Sequence, residues 1–251
     1  MIHLLGAQGR ELLAQLASTR VLLAFDFDGT LAPIVPDRES ARMRVRTAEL
    51  LGELVRRYPV AAISGRAKSD VLRRLGGARL RHVVGNHGLE PGGDVRASAR
   101  IMRRCLPLLT AGLAGVAGVE VEDKRYSLAV HYRHARSKTA ARARIAATIA
   151  GLPDPMRVIA GKLVVNLVPA SAPNKGDALL ALREKERADV ALYVGDDVTD
   201  EDVFLLDEPG VVVSARVGRS IRSAAPYYLR DQREMDSLLA TLVQLRPVAS
   251  R

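Results

Sequence analysis

The sequence predicts an α/β protein: a doubly wound parallel sheet interrupted by an inserted α+β segment. Three observations carry that expectation. Short apolar runs with no polar face, as strands buried on both sides require, alternate with stretches at helical spacing. The alternation breaks after Pro91-Gly92-Gly93 and resumes near residue 170. Carboxylates gather directly after two of the apolar runs, at Asp26 and at Asp196.

Leu12, Leu13 and Leu16 recur at helical spacing, and Val21 to Phe25 reads as the first buried strand. Thr47 is placed as the cap of a helix carrying Leu50, Leu51, Leu54 and Val55, and Val60 to Ile63 is the next strand, ending at Ser64-Gly65-Arg66. A helix through Val71, Leu72 and Leu75 stops at Gly76-Gly77, and the strand His82 to Val84 ends at Gly85-Asn86-His87-Gly88. Strands alternating with helices imply a parallel sheet covered on both faces.

The rhythm then changes. A helix around Arg100 to Leu113, strands near Val119 to Glu122 and Ser127 to Tyr132, a helix around Thr139 to Ile149, and strands near Met156 to Ile159 and Leu163 to Val168 are expected. Two successive strands after each helix do not suit a doubly wound sheet. Residues 91–169 are therefore read as a separate α+β cap, with residues 1–90 and 170–251 forming the core.

The alternation resumes with a helix from Lys175, the strand Ala191 to Val194, a helix from Asp200 and the strand Val211 to Val213. A short helix near Ile221, the strand Tyr227 to Leu229, and a last helix opened by a capping-box-like Asp231 and Glu234 complete the chain.

Composition narrows the function classes. Hydrophobic residues at 48% and charged residues at 26% describe an ordinary globular chain. A formal charge of +10 attracts phosphates and other anions. The Lys and Arg residues are nevertheless scattered, and aromatics at 4% with no Trp offer few platforms for stacking bases, so no nucleic-acid partner is expected. No run approaches the roughly 18 apolar residues of a membrane span, and Arg10 and Glu11 break any secretory pattern. The sole cysteine, Cys105, sits among Met102, Leu106 and Leu109 and is read as buried packing. A cytoplasmic monomer is the expectation.

Asp26 and Asp28 end a buried strand, followed by Gly29-Thr30, at the sheet edge where open α/β folds place ligands. Two close carboxylates repel unless a cation or proton lies between them, so they form a magnesium site, an acid/base pair, or only a helix cap with a solvent-facing partner. Gly195-Asp196-Asp197-Val198-Thr199-Asp200-Glu201 brings further acids to the same edge. An all-oxygen cluster of this kind suits magnesium rather than zinc. Ser64 after Ile63, and Lys175 at a helix start after Asn174, are groups that can bind phosphate oxygens.

These motifs, Asp-x-Asp-Gly-Thr, Ile63-Ser64-Gly65-Arg66, Asn174-Lys175-Gly176 and Gly-Asp-Asp-x-Thr-Asp-Glu, resemble the four ordered motifs of the haloacid dehalogenase superfamily, and they span nearly the whole chain. The resemblance implies a Rossmann-like core and a Mg2+ cofactor. It implies Asp26 as nucleophile and metal ligand, and Asp28 as general acid/base whose backbone carbonyl also meets the metal. Asp196 would complete the ligand set with Asp197 or Asp200 in support, while Ser64 and Lys175 would hold the phosphoryl group.

Within that superfamily, Gly85-Asn86-His87-Gly88-Leu89-Glu90, the stretch Glu122 to Ser127 with His131, and Gly-Asp-Asp-Val-Thr-Asp-Glu are similar to the trehalose-6-phosphate phosphatase family. That similarity implies a sugar-phosphate substrate contacted by Arg66, Asn86, His87, Glu122, Lys124, Ser127, Lys162 and Asn166. One position departs from the family pattern. Gly161-Lys162 is followed four residues on by Asn166 where the family carries Glu, which keeps hydrogen bonding and loses charge. Other expected substrates are therefore sucrose 6-phosphate and glucosyl-3-phosphoglycerate, with a sugar phosphomutase or a non-catalytic sugar-phosphate module as further alternatives.

Overall fold

The computed structural model of the chain describes residues 1–90, 94–161, 163–206 and 209–247. In chain order the elements are β1 (Ile2–His3), α1 (Ala7–Ala17), β2 (Val21–Phe25), α2 (Val45–Leu54), β3 (Val60–Ile63), α3 (Lys68–Arg74), β4 (His82–Val84) and α4 (Val95–Leu113). There follow β5 (Glu120–Asp123), β6 (Leu128–His131), α5 (Lys138–Ala150), β7 (Met156–Gly161) and β8 (Val164–Pro169). The chain closes with α6 (Lys175–Lys185), β9 (Val190–Gly195), α7 (Glu201–Phe204), β10 (Val212–Val217), β11 (Tyr227–Leu229) and α8 (Glu234–Leu245).

Two compact units result, Met1–Gly88 with Asn174–Arg251, and Leu89–Pro173. The first holds a seven-stranded sheet of order β1-β11-β10-β9-β2-β3-β4 in which every neighbouring pair is parallel. The apolar run of β2 divides by side-chain alternation. Leu23 and Phe25 pack with Leu13, Leu51, Leu54, Leu238 and Leu242 from α1, α2 and α8. Leu22 and Ala24 pack on the opposite face with Leu179, Val203 and Phe204 from α6 and α7. Burial on both faces is why the run carries no polar alternation.

Strand order fixes where ligands go. The chain moves from β2 outward through β3 to β4, and later from β9 outward through β10 to β11. The direction of winding therefore reverses between β2 and β9, which pair with Phe25 opposite Val194. Such a switch point leaves a crevice at the strands' carboxyl ends. Asp26 and Asp196 are the residues that emerge there.

The second unit is a four-stranded antiparallel sheet of order β5-β6-β8-β7. Met102, Cys105 and Leu109 of α4 and Ile145 of α5 bury Leu128, Val130 and Leu167 on one face. Register places Glu122 opposite Ala129, Ala129 opposite Asn166, and Asn166 opposite Ile159, so Glu122 and Asn166 share the other face.

Three local expectations are corrected. Thr47 does not cap α2, which begins two residues earlier at Val45; it is buried inside the helix and donates to Asp236 Oδ1 at 2.5 Å. The segment at Ile221 is a turn with that side chain 98% exposed, so the helix expected there is absent. The last helix begins at Glu234 rather than Asp231, because Asp231 accepts from the Arg233 amide in a turn that precedes it, and Glu234 accepts from the Arg230 amide. No helix among the described residues is long and apolar enough to cross a membrane.

Candidate active site

The first acidic residue is set by the sheet itself. The Asp26 amide donates to Val194 O at 2.9 Å, extending the β2–β9 ladder one residue past the strand. The chain then folds back through a turn in which the Gly29 amide donates to Ala32 O at 2.7 Å with Gly29 at φ +80°. Glycine is required there twice over. A left-handed φ disfavours a side chain, and a Cβ would fall 2.1 Å from Asp196 Oδ2. The turn of the first motif is thus packed directly on the carboxylate of the last.

Lys175 is the first residue of α6. Asn174 caps the helix by accepting from the Asp177 amide while Asp177 accepts from the Asn174 amide, a reciprocal box that fixes where the helix starts. The Lys175 ammonium, 2% exposed, donates to Asp26 Oδ1 at 2.8 Å and to Asp200 Oδ1 at 2.6 Å. Burial alone would lower the Lys175 pKa. The charges of Asp200 and Asp26 outweigh it, and the net displacement is upward, so the side chain stays charged.

Asp200 is filled with donors. Its Oδ1 accepts from Lys175 and from the Tyr193 hydroxyl at 2.6 Å, and its Oδ2 accepts from the Asp196 and Asp197 amides at 2.9 Å each. These contacts use the roughly four acceptor sites of a carboxylate. Burial pushes its pKa up, but Lys175 and the other donors prevail and hold it below the usual range. Tyr193 was not anticipated from sequence. Its signal was a lone hydroxyl in the apolar run Ala191–Val194, and its ring lies with Phe204 in the core on the α6 side.

Asp26, Asp196 and Asp200 each place a carboxylate oxygen within 4.8 Å of the others, a group able to hold a metal ion. Asp196 Oδ1 is buried and has no hydrogen-bond partner. Burial raises the Asp196 carboxyl strongly, with the charges of Asp26 and Asp200 adding to it. Asp26 is raised too, first by burial, with Lys175 offsetting part and Asp200 pushing further up. A carboxylate with a buried, unpartnered oxygen beside a second carboxylate, both disfavoured as anions, fits a divalent cation held by oxygen ligands.

The other expected ligands sit differently. Asp197 is exposed and outside the group. Asp28, its side chain 41% exposed, turns to Arg66, accepting from Nε at 2.6 Å and Nη2 at 2.7 Å.

Ser64 follows β3, and its Oγ accepts from the Arg66 amide at 3.2 Å. Arg66 is buried, with its third guanidinium nitrogen on Asp70 at 2.7 Å. Asn86 and His87 adopt left-handed φ of 50° and 59°. Their amides donate to Arg66 O and Ser64 O, and the His87 ring lies where a Cβ on Gly65 would be, 2.4 Å from Cε1. Gly88 in turn backs onto Asn174, whose carbonyl oxygen would be 2.1 Å from a Cβ. Residues 85–88 therefore buttress both the Ser64 loop and the start of α6.

In the second unit, Lys124 Nζ donates to Asn166 Oδ1 at 3.0 Å and His131 Nε2 pairs with Glu122 Oε2 at 2.9 Å. Ser127 is buried in the hairpin turn, its carbonyl accepting from the Lys124 amide at 3.0 Å. Lys162 lies outside the described residues.

A profile of the trehalose-phosphatase family matches residues 24–232. The chain belongs to the trehalose-phosphatase family. It is 36% identical over 203 residues to a trehalose-phosphate phosphatase of Mycobacterium avium, and 35% identical over 207 residues to one of Mycobacterium tuberculosis. These alignments cover 75% and 76% of this chain but 52% and 53% of the relatives, so the chain spans about half their length. Among solved structures, the C-terminal domain of the C. albicans trehalose-6-phosphate phosphatase superposes with TM-score 0.77 at 24% identity, covering 94% of this chain and 96% of that one. The Aspergillus fumigatus trehalose-6-phosphate phosphatase gives 0.65 at 26% identity, covering 94% and 97%. The trehalose-phosphatase match begins at Ala24, near the end of β2, and takes in every motif described above.

Proposed function

We propose that this protein is a magnesium-dependent phosphatase that hydrolyses trehalose 6-phosphate to trehalose and inorganic phosphate through an aspartyl phosphate on Asp26. The observation that carries this reading is the buried Lys175 ammonium bridging Asp26 and Asp200 beside the unpartnered Asp196 oxygen. Membership of the trehalose-phosphatase family supplies the substrate class.

Asp26 is the nucleophile. Its carboxylate attacks phosphorus in line and the sugar oxygen departs with a proton delivered by Asp28; Asp28 then takes a proton from the water that hydrolyses the acyl phosphate. Lys175 fixes the Asp26 carboxylate and neutralises charge that builds on the phosphoryl oxygens, with Ser64 as a neutral donor. Asp26 and Asp196 are the side chains that would hold Mg2+, which when bound supplies further charge neutralisation at the phosphoryl group. Asp200, with its acceptor sites taken, anchors Lys175 and the Asp196 and Asp197 amides rather than serving as a ligand.

Residues of the 91–169 cap select the sugar in this reading. Glu122, Lys124, Ser127 and Asn166 offer donors and acceptors of the kind that discriminate hydroxyls, because a buried polar group left unpaired is costly. A second reading, a phosphatase of another glycosyl phosphate, is favoured by one observation: Lys124 meets the neutral amide of Asn166 where a carboxylate would hold it more strongly.

The test is phosphate release with Mg2+ from trehalose 6-phosphate, sucrose 6-phosphate, glucose 6-phosphate and glucosyl-3-phosphoglycerate. A preference for trehalose 6-phosphate that Asp26→Asn abolishes is the expected result. Preference for another member of the set would replace the substrate and keep the reaction; no release from any would end the phosphatase reading.

A further inference from the structure

We propose that Asp70 is a positioning residue for the reaction, acting through Arg66 to hold the carboxyl group of Asp28 where it exchanges protons with the leaving oxygen and the attacking water. The inference rests on the phosphatase reading above and deepens it.

Its basis is a run of alternating charges. Asp28 takes two parallel bonds from Arg66, at 2.6 and 2.7 Å, and the remaining guanidinium nitrogen, Nη1, donates to Asp70 Oδ2 at 2.7 Å. The other Asp70 oxygen accepts from Arg74 Nε at 3.0 Å and from Arg73 Nη2 at 2.7 Å. Arg74 is fastened in turn to Glu39 Oε2 and to the Glu39 and Ala41 carbonyls at 2.8 to 3.0 Å. Asp70 and Arg74 stand four residues apart on α3, the spacing at which side chains meet along a helix, and Arg66 lies just ahead of the Ala67 cap. All three are buried, while Asp28 remains substantially open. The run therefore passes from the exposed Glu39 and Arg73 through three buried side chains to Asp28 at the end of the first motif.

Two features separate positioning from mere scaffolding. The main chain of Arg66 is already fixed without Asp70, its amide donating to Ser64 Oγ and its carbonyl accepting from the Asn86 amide. Asp70 therefore acts on the guanidinium and not on the loop. The guanidinium also sits 5.8 Å from the centre of the Phe27 ring, between the two aspartates of the first motif. A planar fork held at both ends can hold a carboxylate in one orientation, where a single charge would let it swing.

The test compares Asp70→Ala and Asp70→Asn with the parent on two substrates in Mg2+, trehalose 6-phosphate and p-nitrophenyl phosphate, alongside thermal midpoints. An alkoxide leaves poorly without a proton, whereas p-nitrophenolate leaves without one. In Asp70→Ala we expect kcat/KM on the sugar phosphate, which reports expulsion of the leaving group and not the shared hydrolysis of the aspartyl phosphate, to fall about tenfold, part of the roughly 10²–10⁴ that a positioned acid contributes. The loss on p-nitrophenyl phosphate should be clearly smaller. Asp70→Asn keeps an acceptor for Arg66 and should recover most of the rate. Should Asp70→Ala not fold, Arg66→Lys, which keeps the charge and loses the fork, should give the same substrate-dependent loss. Equal losses of kcat/KM on both substrates, or an unchanged kcat/KM in a folded Asp70→Ala, would overturn the proposal. A parent chain that releases phosphate from neither substrate marks failure of the phosphatase reading itself and takes this proposal with it.

Discussion

Lys175 and Asp26 form a buried ion pair, Nζ to Oδ1 at 2.8 Å, in which the cation of one motif neutralises the proposed nucleophile of another 149 residues away. Asp200 shares the same ammonium. Removing it leaves two carboxylates buried with no counter-charge. Lys175→Ala is expected to cost about 3–5 kcal/mol of stability, as breaking a buried pair does, and to reduce phosphate release at least about 100-fold. Denaturant unfolding and steady-state kinetics read the two effects separately; a fully active, equally stable variant would contradict the arrangement.

Metal and pH should act together. Asp26 and Asp196 have folded-state pKa values raised by burial, so across the window above the unfolded carboxylate value the native state holds more protons than the unfolded chain. Stability of the metal-free protein should then fall as pH rises from about 4 into the neutral and weakly alkaline range, and level off above the folded pKa values. Lys175 and Asp200 do not alter this slope, because one titrates above the window and the other below it. Added Mg2+ should raise the thermal midpoint more at pH 8 than at pH 5.5. A metal effect equal at both values would show that these carboxylates do not receive the ion.

Gly29→Ala places a methyl group against Asp196 Oδ2 in a left-handed backbone position. The expected cost is about 1–3 kcal/mol of strain, with a weaker apparent affinity for Mg2+ because the Asp196 carboxylate must move. A Mg2+ titration of activity checks the second part; an unshifted midpoint would mean the turn yields instead.

Tyr193→Phe keeps the ring in the core and removes one donor to Asp200. The loss should be about 1–3 kcal/mol, the range for leaving a buried charged acceptor short of a partner. Activity should fall as well, since Asp200 orients Lys175. Stability reduced with the rate intact would confine Tyr193 to the core.

The parallel core was legible because strands buried on both faces must be apolar throughout, and Val21–Phe25, Val60–Ile63 and Val190–Gly195 are so. The placement of Asp26, Asp196 and Lys175 followed from it, since strand ends and helix starts are where such side chains must emerge. What escaped notice depended on partners distant in sequence. Thr47 looks like a cap until Asp236, 189 residues away, is found to accept the hydrogen bond from its hydroxyl. Asp231 resembles the start of a helix until the turn ahead of Glu234 uses it. Tyr193 and Asp70 gain meaning only from Asp200 and Arg66. Local pattern carries elements and edges; it does not carry which polar side chain fills which vacancy, because that is decided by tertiary approach.

Gly88 lies against the Asn174 carbonyl, so the chain leaves the first unit and re-enters it at almost the same point. That contact makes residues 89–173 a replaceable cassette. For the first unit, a loop tied off at its base costs closure entropy that grows only with the logarithm of its length, so a longer, shorter or unrelated insertion can occupy the same gap with little penalty. The insertion can vary in length and sequence while the sheet edge that carries Asp26, Asp196 and Lys175 stays as it is.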